Sequence, residues 1–294
     1  MILLTGAAGK TGKAILNTIL PHGVSVRSLV RSSTQAEEIR SIGGKHIALG
    51  DLRDNESLAE AMKGITSIYY ICPNMAPDEL EIGKNLVRLA KQNGVTRIIY
   101  HSVFHPQVEN MPHHWQKMRM EEHLFESGLE FTILQPCAYM QNILSSWQSI
   151  VENGIYAVPY ATSSRISIVD LQDVAAVAET VLTQRDHKNS IYELAGPEPL
   201  SQNELAEILS GELKRPVEAS ALDRTAWAEN ARNSGLDERS ITTLIKMFEY
   251  YEQNGLVGNS NVLSYLLKRP ATRFAEFIQS YISLDQRKKP DTLK

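Results

Sequence analysis

Residues 2–12 read Ile-Leu-Leu-Thr-Gly-Ala-Ala-Gly-Lys-Thr-Gly, a short aliphatic run followed by glycines at positions 6, 9 and 12. Ile2–Leu4 has the composition of a buried strand, and Lys13–Leu20 has the apolar spacing of a helix. Between a strand and a helix, such glycines permit a tight turn, close approach of the backbone to a pyrophosphate, and packing of helix on strand. The helix N-terminus adds N–H groups and a positive dipole. The stretch therefore predicts a dinucleotide-binding turn.

A second interpretation of the same residues is an ATPase phosphate loop, because Gly9-Lys10-Thr11 matches the end of that motif. The ATPase motif requires a glycine five positions before the last one. This chain has Leu4 at that position, so the ATPase interpretation fails.

Short aliphatic runs alternate with helical patterns over the first half of the chain, and glycines follow several of the helices. This order predicts right-handed βαβ crossovers and a doubly wound parallel sheet of the α/β class. The further predicted strands are Val24–Val30, His46–Leu49, Ser67–Ile71, Arg97–His101 and Phe131–Gln135, and the further helices are Gln35–Ser41, Ser57–Met62, Glu79–Asn93 and Lys117–Ser127.

The pattern changes after Pro136. A helix is predicted over Ala138–Val151, and Ile166–Val169 followed by Asp170–Leu182 predicts one more βα unit that returns to the sheet. Helical patterns dominate after Ser201. We therefore expect a dinucleotide-binding domain from residues 1–137 plus about 166–185, and a smaller, mostly helical lobe from residues 138–165 and 186–294.

The composition narrows the classes of function. The chain has 294 residues, 43% of them hydrophobic, and a net charge of −4, which is typical of a globular protein and argues against nucleic acid as a direct partner. Two cysteines form no disulfide framework, and no leader or membrane-spanning run is apparent, so a cytoplasmic protein without membrane contact is expected. The basic run Arg287-Lys288-Lys289 is interpreted as a solvated tail.

Arg31 directly follows the second predicted strand, where an acidic residue would select NAD by binding the ribose 2′-hydroxyl. An arginine there can form a forked contact with a 2′-phosphate instead. NADP(H) is therefore the expected cofactor. The alternative is that Arg31 is an ordinary solvated residue.

Three motifs together resemble the NmrA-like family of atypical short-chain dehydrogenases. They are the glycine turn, Gly50-Asp51-Leu52 after the third strand, and Gln135-Pro136-x-x-Tyr139-Met140-x-Asn142. The stretch from Leu267 to Phe277 resembles the end of that family. The resemblance implies a Rossmann domain that binds NADP(H), with a small C-terminal lobe over a cleft. Family members include quinone and dye reductases and also redox-sensing regulators.

The resemblance also implies roles for individual residues. Asp51 and Leu52 would lie against the adenine, and Cys72 and Pro73 would line the cofactor after the fourth strand. Together with the glycine turn, the residues expected to bind the cofactor are Gly6, Ala8, Gly9, Lys10, Thr11, Gly12, Arg31, Asp51, Leu52, Cys72, Pro73 and Lys117.

The catalytic pattern departs from that of typical short-chain dehydrogenases, which use Ser and Tyr-x-x-x-Lys. Ser102 follows the fifth strand and Lys117 is present, but His113 stands where the tyrosine is expected. A histidine can act as a general acid near neutral pH; alternatively, His113 is a polar pocket residue. Tyr139 follows the end of a strand and is the fourth candidate catalytic residue.

Two functions remain open at this point. One is an NADPH-dependent reductase of a quinone-like, carbonyl or other electrophilic small molecule, and the other is an NADP(H) redox sensor with little catalysis. A homodimer or a regulatory protein partner is compatible with either, and a sugar-nucleotide epimerase is a more distant interpretation. A group of histidines between His101 and His123 makes a metal site conceivable, but no metal-ligand motif accompanies it, and none is expected.

Overall fold

A computed structural model describes residues 1–288, with side chains as far as residue 284. The predicted tail at Arg287-Lys288-Lys289 lies outside the described side chains. The chain forms two compact units. The first contains Met1–Pro136 and Leu171–Leu194, and the second contains Cys137–Asp170 and the described chain from Ala195 onward.

Strands and helices alternate along the chain in the first unit, whereas they follow no regular order in the second. In chain order, the strands of the described residues are β1 (Ile2–Leu4), β2 (Val26–Val30), β3 (His46–Leu49), β4 (Ser67–Tyr70), β5 (Arg97–His101), β6 (Glu130–Pro136), β7 (Ala138–Tyr139), β8 (Ile155–Val158), β9 (Ile166–Val169), β10 (Ser190–Leu194), β11 (Pro199–Leu200) and β12 (Glu218–Ala221). The helices are α1 (Lys10–Ile19), α2 (Ser33–Ser41), α3 (Asn55–Met62), α4 (Glu79–Gln92), α5 (Pro112–Glu126), α6 (Trp147–Asn153), α7 (Leu171–Thr183), α8 (Gln202–Leu213), α9 (Arg224–Asn233), α10 (Glu238–Asn254), α11 (Asn261–Leu267) and α12 (Phe274–Lys288).

A seven-stranded parallel sheet forms the centre of the first unit, in the order β10-β6-β5-β4-β1-β2-β3. Its middle strands are fully buried on both faces, as the aliphatic composition of Leu3, Ile68 and Ile98 requires. The strand order reverses at β1, which lies between β2 and β4. Ligands of open α/β sheets bind at the carboxyl ends of the strands at such a switch point. The predicted doubly wound fold is confirmed.

The second unit is built from two small sheets and a group of helices. One sheet has the order β11-β9-β7 and the other pairs β12 with β8. A second hydrophobic core lies here and includes Ile150, Leu209, Phe274 and Ile278. Helix α8 begins at a capping box, in which Ser201 and Glu204 exchange hydrogen bonds.

One prediction about the path of the chain through the sheets is wrong. Ile166–Val169 does form a strand, but it pairs with β7 and β11 instead of returning to the large sheet. The seventh strand of that sheet is β10, which the sequence analysis did not identify. It is an edge strand with Ile191 45% exposed, so it lacks the continuous apolar run of a buried parallel strand.

The predicted helix over Ala138–Val151 is also wrong. Ala138 and Tyr139 are extended, because they pair with Ile168 and Val169 of β9. A 3₁₀ helix follows over Met140–Ser146, and α6 begins only at Trp147. A long-range pairing thus overrides the local helical preference.

The first helix packs closely on the turn that precedes it. A Cβ atom at Gly12 would lie 2.6 Å from the Cα atom and 2.7 Å from the carbonyl oxygen of Ala7, and would also overlap the carbonyl oxygen of Gly6. These are backbone atoms that no side-chain rotation can move aside. Gly12 therefore sets the approach of α1 to β1.

We expect Gly12→Ala to lower the free energy of unfolding by about 1–3 kcal/mol, the usual effect of overpacking against rigid neighbours. The matched control is Gly211→Ala, in the interior of α8, where an added Cβ meets nothing within 4 Å. That change should raise the free energy of unfolding by about 0.5–1 kcal/mol, because alanine favours the helix. Urea unfolding of both variants measures the difference, and equal effects would contradict the close packing at Gly12.

Candidate functional site

A pocket of about 280 Å³ opens at the carboxyl ends of the central strands of the first unit. Its walls come from the turn after β1, the ends of β2 and β3, and the segment after β4. The lining residues are Gly6, Ala7, Ala8, Gly9, Leu29, Val30, Arg31, Gln35, Gly50, Asp51, Leu52, Ile71, Cys72 and Pro73.

The glycine turn has the features of an anion-binding site. Gly6 adopts a left-handed conformation with φ of +61°, and the Gly9 N–H group donates to the Gly6 carbonyl at 3.0 Å. Gly9 is the N-cap of α1 and has no side chain that could accept from the first-turn N–H groups. The helix N-terminus therefore offers donors and positive potential to a negatively charged ligand, as a pyrophosphate requires.

Thr5 ties this turn to the opposite wall of the pocket. Its buried hydroxyl donates to the Ile71 carbonyl at 2.9 Å and accepts from the Ile71 N–H group at 2.8 Å. The backbone of β4 beyond its last paired residue is thereby held to β1. The positions of Cys72 and Pro73 follow from this contact.

Arg31 is exposed at the rim of the pocket, and Gln35 lies beside it. The Arg31 N–H group donates to the Oε1 atom of Gln35 at 2.8 Å, and the Gln35 N–H group donates to the hydroxyl of Ser32, the N-cap of α2, at 3.2 Å. The sequence analysis missed Gln35. The spacing Ser32-x-x-Gln35, which is that of a capping box, is the signal that could have identified it.

Asp51 and Leu52 line the pocket at the end of β3. The Asp51 carboxylate accepts from the Arg53 N–H group at 2.8 Å, and the Asp51 N–H group donates to the Ser57 hydroxyl at 3.2 Å. These contacts order the segment after β3. Leu52 is 7% exposed and presents an apolar surface.

Cys72 lines the pocket as a buried free thiol. Burial and, to a smaller extent, the carboxylate of Glu79 raise the pKa of its thiol to about 12, whereas Lys117 acts in the opposite direction. The thiol is therefore protonated at neutral pH and serves as a small apolar wall.

Helix α5 begins at Pro112, five residues before its predicted start, so His113 and Lys117 both lie on it. Their spacing of four residues places them on one face. The Lys117 ammonium donates to the Oε1 atom of Glu79 at 2.7 Å, and the Tyr100 hydroxyl donates to the same oxygen at 2.6 Å.

Ser102 lies at the end of β5, as predicted, and is 3% exposed. Its hydroxyl donates to the buried carboxylate of Glu121. The side-chain amide of Gln135 donates to both oxygens of that carboxylate, at 3.0 and 2.9 Å. The single proton of Ser102 is thus engaged within the protein.

His113 is mostly buried, and its ring packs edge-on against His114 with centroids 4.5 Å apart. Burial, with smaller contributions from His114 and Lys117, lowers its pKa to about 3. The lowered pKa favours the neutral imidazole at neutral pH and argues against His113 as a general acid there. Within the described chain its Nδ1 atom is buried and has no hydrogen-bond partner.

The structure thus gathers most predicted cofactor residues around one pocket. Gly6, Ala8, Gly9, Arg31, Asp51, Leu52, Cys72 and Pro73 line it, whereas Lys10, Thr11 and Gly12 form the first turn of α1. Tyr139 belongs to the second unit, in β7. Among the side chains that the structure describes, residues 1–284, no group of three His, Cys, Asp or Glu has the arrangement of a metal site.

A family model described as the NmrA-like family matches residues 1–290. The chain therefore belongs to this family. In the part of the chain that the structure describes, no helix is long and apolar enough to cross a membrane.

Two curated relatives match nearly end to end. An NAD(P)H azoreductase of Xenophilus azovorans is 28% identical over 96% of this chain and 98% of its own length. Quinone oxidoreductase 2 of Escherichia coli is 24% identical over 97% of this chain and 100% of its own length. Among solved structures, an NADPH-dependent quinone oxidoreductase of Escherichia coli, complexed with NADPH, is similar with a TM-score of 0.84 and 25% identity, over 96% of this chain and 100% of that one.

The buried histidines predict a loss of stability in mild acid. Burial lowers the pKa of His101 and His113 to about 3 and that of His114 to about 4, whereas the unfolded chain has the ordinary value of about 6.5. Below pH 6.5 the unfolded state therefore binds more protons than the folded state. The free energy of unfolding should fall from pH 7 to pH 5, by up to about 1.4 kcal/mol per pH unit for each histidine.

Urea unfolding at pH 7, 6 and 5 measures this dependence. His113→Leu removes one of these three imidazoles and should reduce the slope. His46→Gln, at an exposed position of β3, is the matched control and should leave the slope unchanged. A slope in His113→Leu equal to that of the natural protein would show that His113 titrates normally in the folded state.

Proposed function

We propose that this member of the NmrA-like family is an NADPH-dependent reductase that transfers hydride to a quinone-like or other electrophilic small molecule. The observation that carries the proposal is the pocket at the switch point of the sheet, which is lined by both an anion-binding glycine turn and Arg31. The names of the azoreductase and of the quinone oxidoreductase relatives support the same reaction class.

The strand order predicts how NADP(H) lies in the pocket. Arg31 after β2 and Asp51 after β3 are at one end, and the glycine turn after β1 is in the middle. Cys72 after β4 is at the other end. We assign the first end to the 2′-phosphorylated adenosine, the glycine turn to the pyrophosphate and the last end to the nicotinamide half. Arg31 supplies the positive charge that the 2′-phosphate requires.

The nicotinamide, when bound, would supply the hydride, and the protein would bind and orient the cofactor and the acceptor. We assign Lys117 to the ribose of the nicotinamide half. Its Nζ atom lies 5.5 Å from the centre of the Tyr100 ring, and that ring stacks on the ring of Tyr70, two residues before Cys72. His113 is neutral at pH 7 and Ser102 donates to Glu121, so neither is a ready proton source. The proposed proton donor is therefore water.

This arrangement favours acceptors whose reduced form is a stabilised anion or a neutral molecule. A quinone accepts hydride to give a hydroquinone anion, in which the negative charge is delocalised, and a cationic dye accepts hydride to give a neutral product. A simple ketone would give an alkoxide, which needs an acid in the transition state. We therefore propose quinone-like and dye-like acceptors in preference to ordinary ketones.

The reductase proposal is tested by NADPH oxidation, followed at 340 nm, with benzoquinones, naphthoquinones, azo dyes and simple ketones. We expect turnover with a quinone or a dye and at least about tenfold less with ketones, a difference typical of lacking a general acid. Gly9→Val is the control, because its side chain would occupy the space of the pyrophosphate. In the protein itself a Cβ atom at Gly9 meets only the Gly6 carbonyl, at 3.2 Å.

Two outcomes would contradict the proposal in different ways. Tight binding of NADPH without reduction of any acceptor would favour the redox-sensing regulator. Absence of NADPH binding would remove both functions.

Arg31 generates a separate prediction about cofactor choice. Arg31→Ala should weaken NADPH binding about ten- to a hundredfold and leave NADH binding unchanged, because only NADPH carries the 2′-phosphate. Arg40 lies in the last turn of α2 and does not line the pocket. Arg40→Ala is the matched control: it removes one positive charge outside the pocket and should change neither affinity. Fluorescence titration measures the dissociation constants. Equal losses for NADPH and NADH would place Arg31 outside the 2′-phosphate site.

A further inference from the structure

Glu79 is a buried carboxylate to which the proposed reaction assigns no role. It is the first residue of α4 and is 1% exposed. Its Oε1 atom accepts hydrogen bonds from the Lys117 ammonium at 2.7 Å and from the Tyr100 hydroxyl at 2.6 Å. Three elements, α4, β5 and α5, therefore converge on one oxygen atom.

The Lys117 ammonium is held from a second side as well. Its Nζ atom lies 5.5 Å from the centre of the Tyr100 ring, within the range of a cation–π contact. The Lys117 side chain is 12% exposed, so its flexible four-carbon stem is largely enclosed. A lysine in open solvent samples many positions, whereas this ammonium has one.

The helix that carries Glu79 is itself anchored at the same turn. Asp78, the residue before Glu79, forms a two-point ion pair with the Arg53 guanidinium, with both N–O distances 2.8 Å. This bidentate contact ties the start of α4 to the segment after β3. The Glu79 carboxylate is therefore fixed by its own helix and not only by its partners.

The ion pair lies beside the proposed nicotinamide end of the pocket. Cys72 lines the pocket. Tyr70 lies two residues before it, and its ring stacks on the Tyr100 ring with the centroids 5.3 Å apart. Burial is the main cause of the raised pKa of the Cys72 thiol; the Glu79 carboxylate also raises that pKa and the Lys117 ammonium lowers it. A change at Glu79 would therefore reach the pocket through Lys117.

A gain in stability alone does not explain the buried ion pair of Glu79 and Lys117. Two buried charges lose their hydration, and replacing a buried ion pair by apolar side chains often leaves stability unchanged or higher. What the pair does supply is a fixed direction for the ammonium. One of its three protons is bound by Glu79, which leaves two for other acceptors.

We propose that Glu79 is the positioning residue for Lys117, and that it holds the ammonium where it donates to the hydroxyls of the nicotinamide ribose. This inference rests on the proposed function. Glu79 itself does not touch the cofactor. Without its carboxylate, Lys117 is a buried charge with no counterion, and it either leaves its position or loses a proton.

The test compares two ligands that share the adenosine half. NADPH contains the nicotinamide ribose, and adenosine 2′,5′-bisphosphate lacks it. Glu79→Gln keeps the shape and an acceptor oxygen but removes the charge. We expect it to raise the dissociation constant of NADPH about tenfold and that of the bisphosphate by less than about twofold. We also expect kcat to fall with little change in KM for the acceptor.

Three further single variants and one double variant separate positioning from structural damage. Glu81→Gln removes a charge from the same helical turn, where Glu81 pairs with Lys84 at 3.1 Å on the surface, and it should bind both ligands normally. Glu79→Asp retains the negative charge but withdraws it from Lys117 by one methylene group. It should weaken binding less than Glu79→Gln does, and only the binding of NADPH. Lys117→Met should weaken NADPH binding as much as Glu79→Gln does. The double variant should bind NADPH little more weakly than either single variant.

The outcomes are separable. If the natural protein binds no NADPH, the proposed function fails. If it binds NADPH and Glu79→Gln binds as tightly or more tightly, the positioning role is overturned. Equal losses for NADPH and the bisphosphate would show a structural role only. Thermal unfolding identifies a variant that does not fold, and in that case the comparison between ligands is made with Glu79→Asp.

Discussion

The hydroxyl of Thr5 is the contact on which the pocket depends. The ladder between β1 and β4 ends where the Thr5 N–H group donates to the Tyr69 carbonyl at 3.1 Å. Beyond that point the Thr5 side chain takes over, and it satisfies both the N–H and the carbonyl group of Ile71. An apolar residue of similar size would leave these two backbone groups without those partners. One side chain thus joins the glycine turn to the segment that carries Cys72.

The parts of the fold that the sequence predicted are those set by local chemistry. The aliphatic run Ile2–Leu4, the three glycines and the regular alternation of strands and helices specify the parallel sheet without reference to distant residues. The errors lie where distant residues decide. Ala138 and Tyr139 are extended because β9 pairs with them, and β10 is an edge strand whose mixed composition resembles a loop. The start of α5 was missed although Pro112 is a common first residue of a helix.

The candidate site shows the same division. Arg31 follows from its place after a strand, and the family resemblance identifies Asp51 and Cys72. Glu79 and Glu121 could not be found in this way, because an acidic residue on an amphipathic helix is normally solvated. Glu79 is 38 residues from Lys117 in the chain, and Glu121 is 14 residues from Gln135. Only the folded chain shows that each carboxylate is buried beside donors.

At the end of the pocket next to β5, few side chains are available to donate a proton to an acceptor molecule. The Ser102 hydroxyl donates a hydrogen bond to Glu121, the Lys117 ammonium donates one to Glu79, and burial lowers the pKa of His113 to about 3. The groups that would protonate an alkoxide in a typical short-chain dehydrogenase are thus engaged or neutral. For the proposed reductase, the driving force must then come from the acceptor itself, which has to delocalise or neutralise the electron pair that it receives. Under this proposal the protein holds the cofactor and the acceptor in the orientation for hydride transfer. An acceptor that stabilises its own reduced form needs little further catalysis.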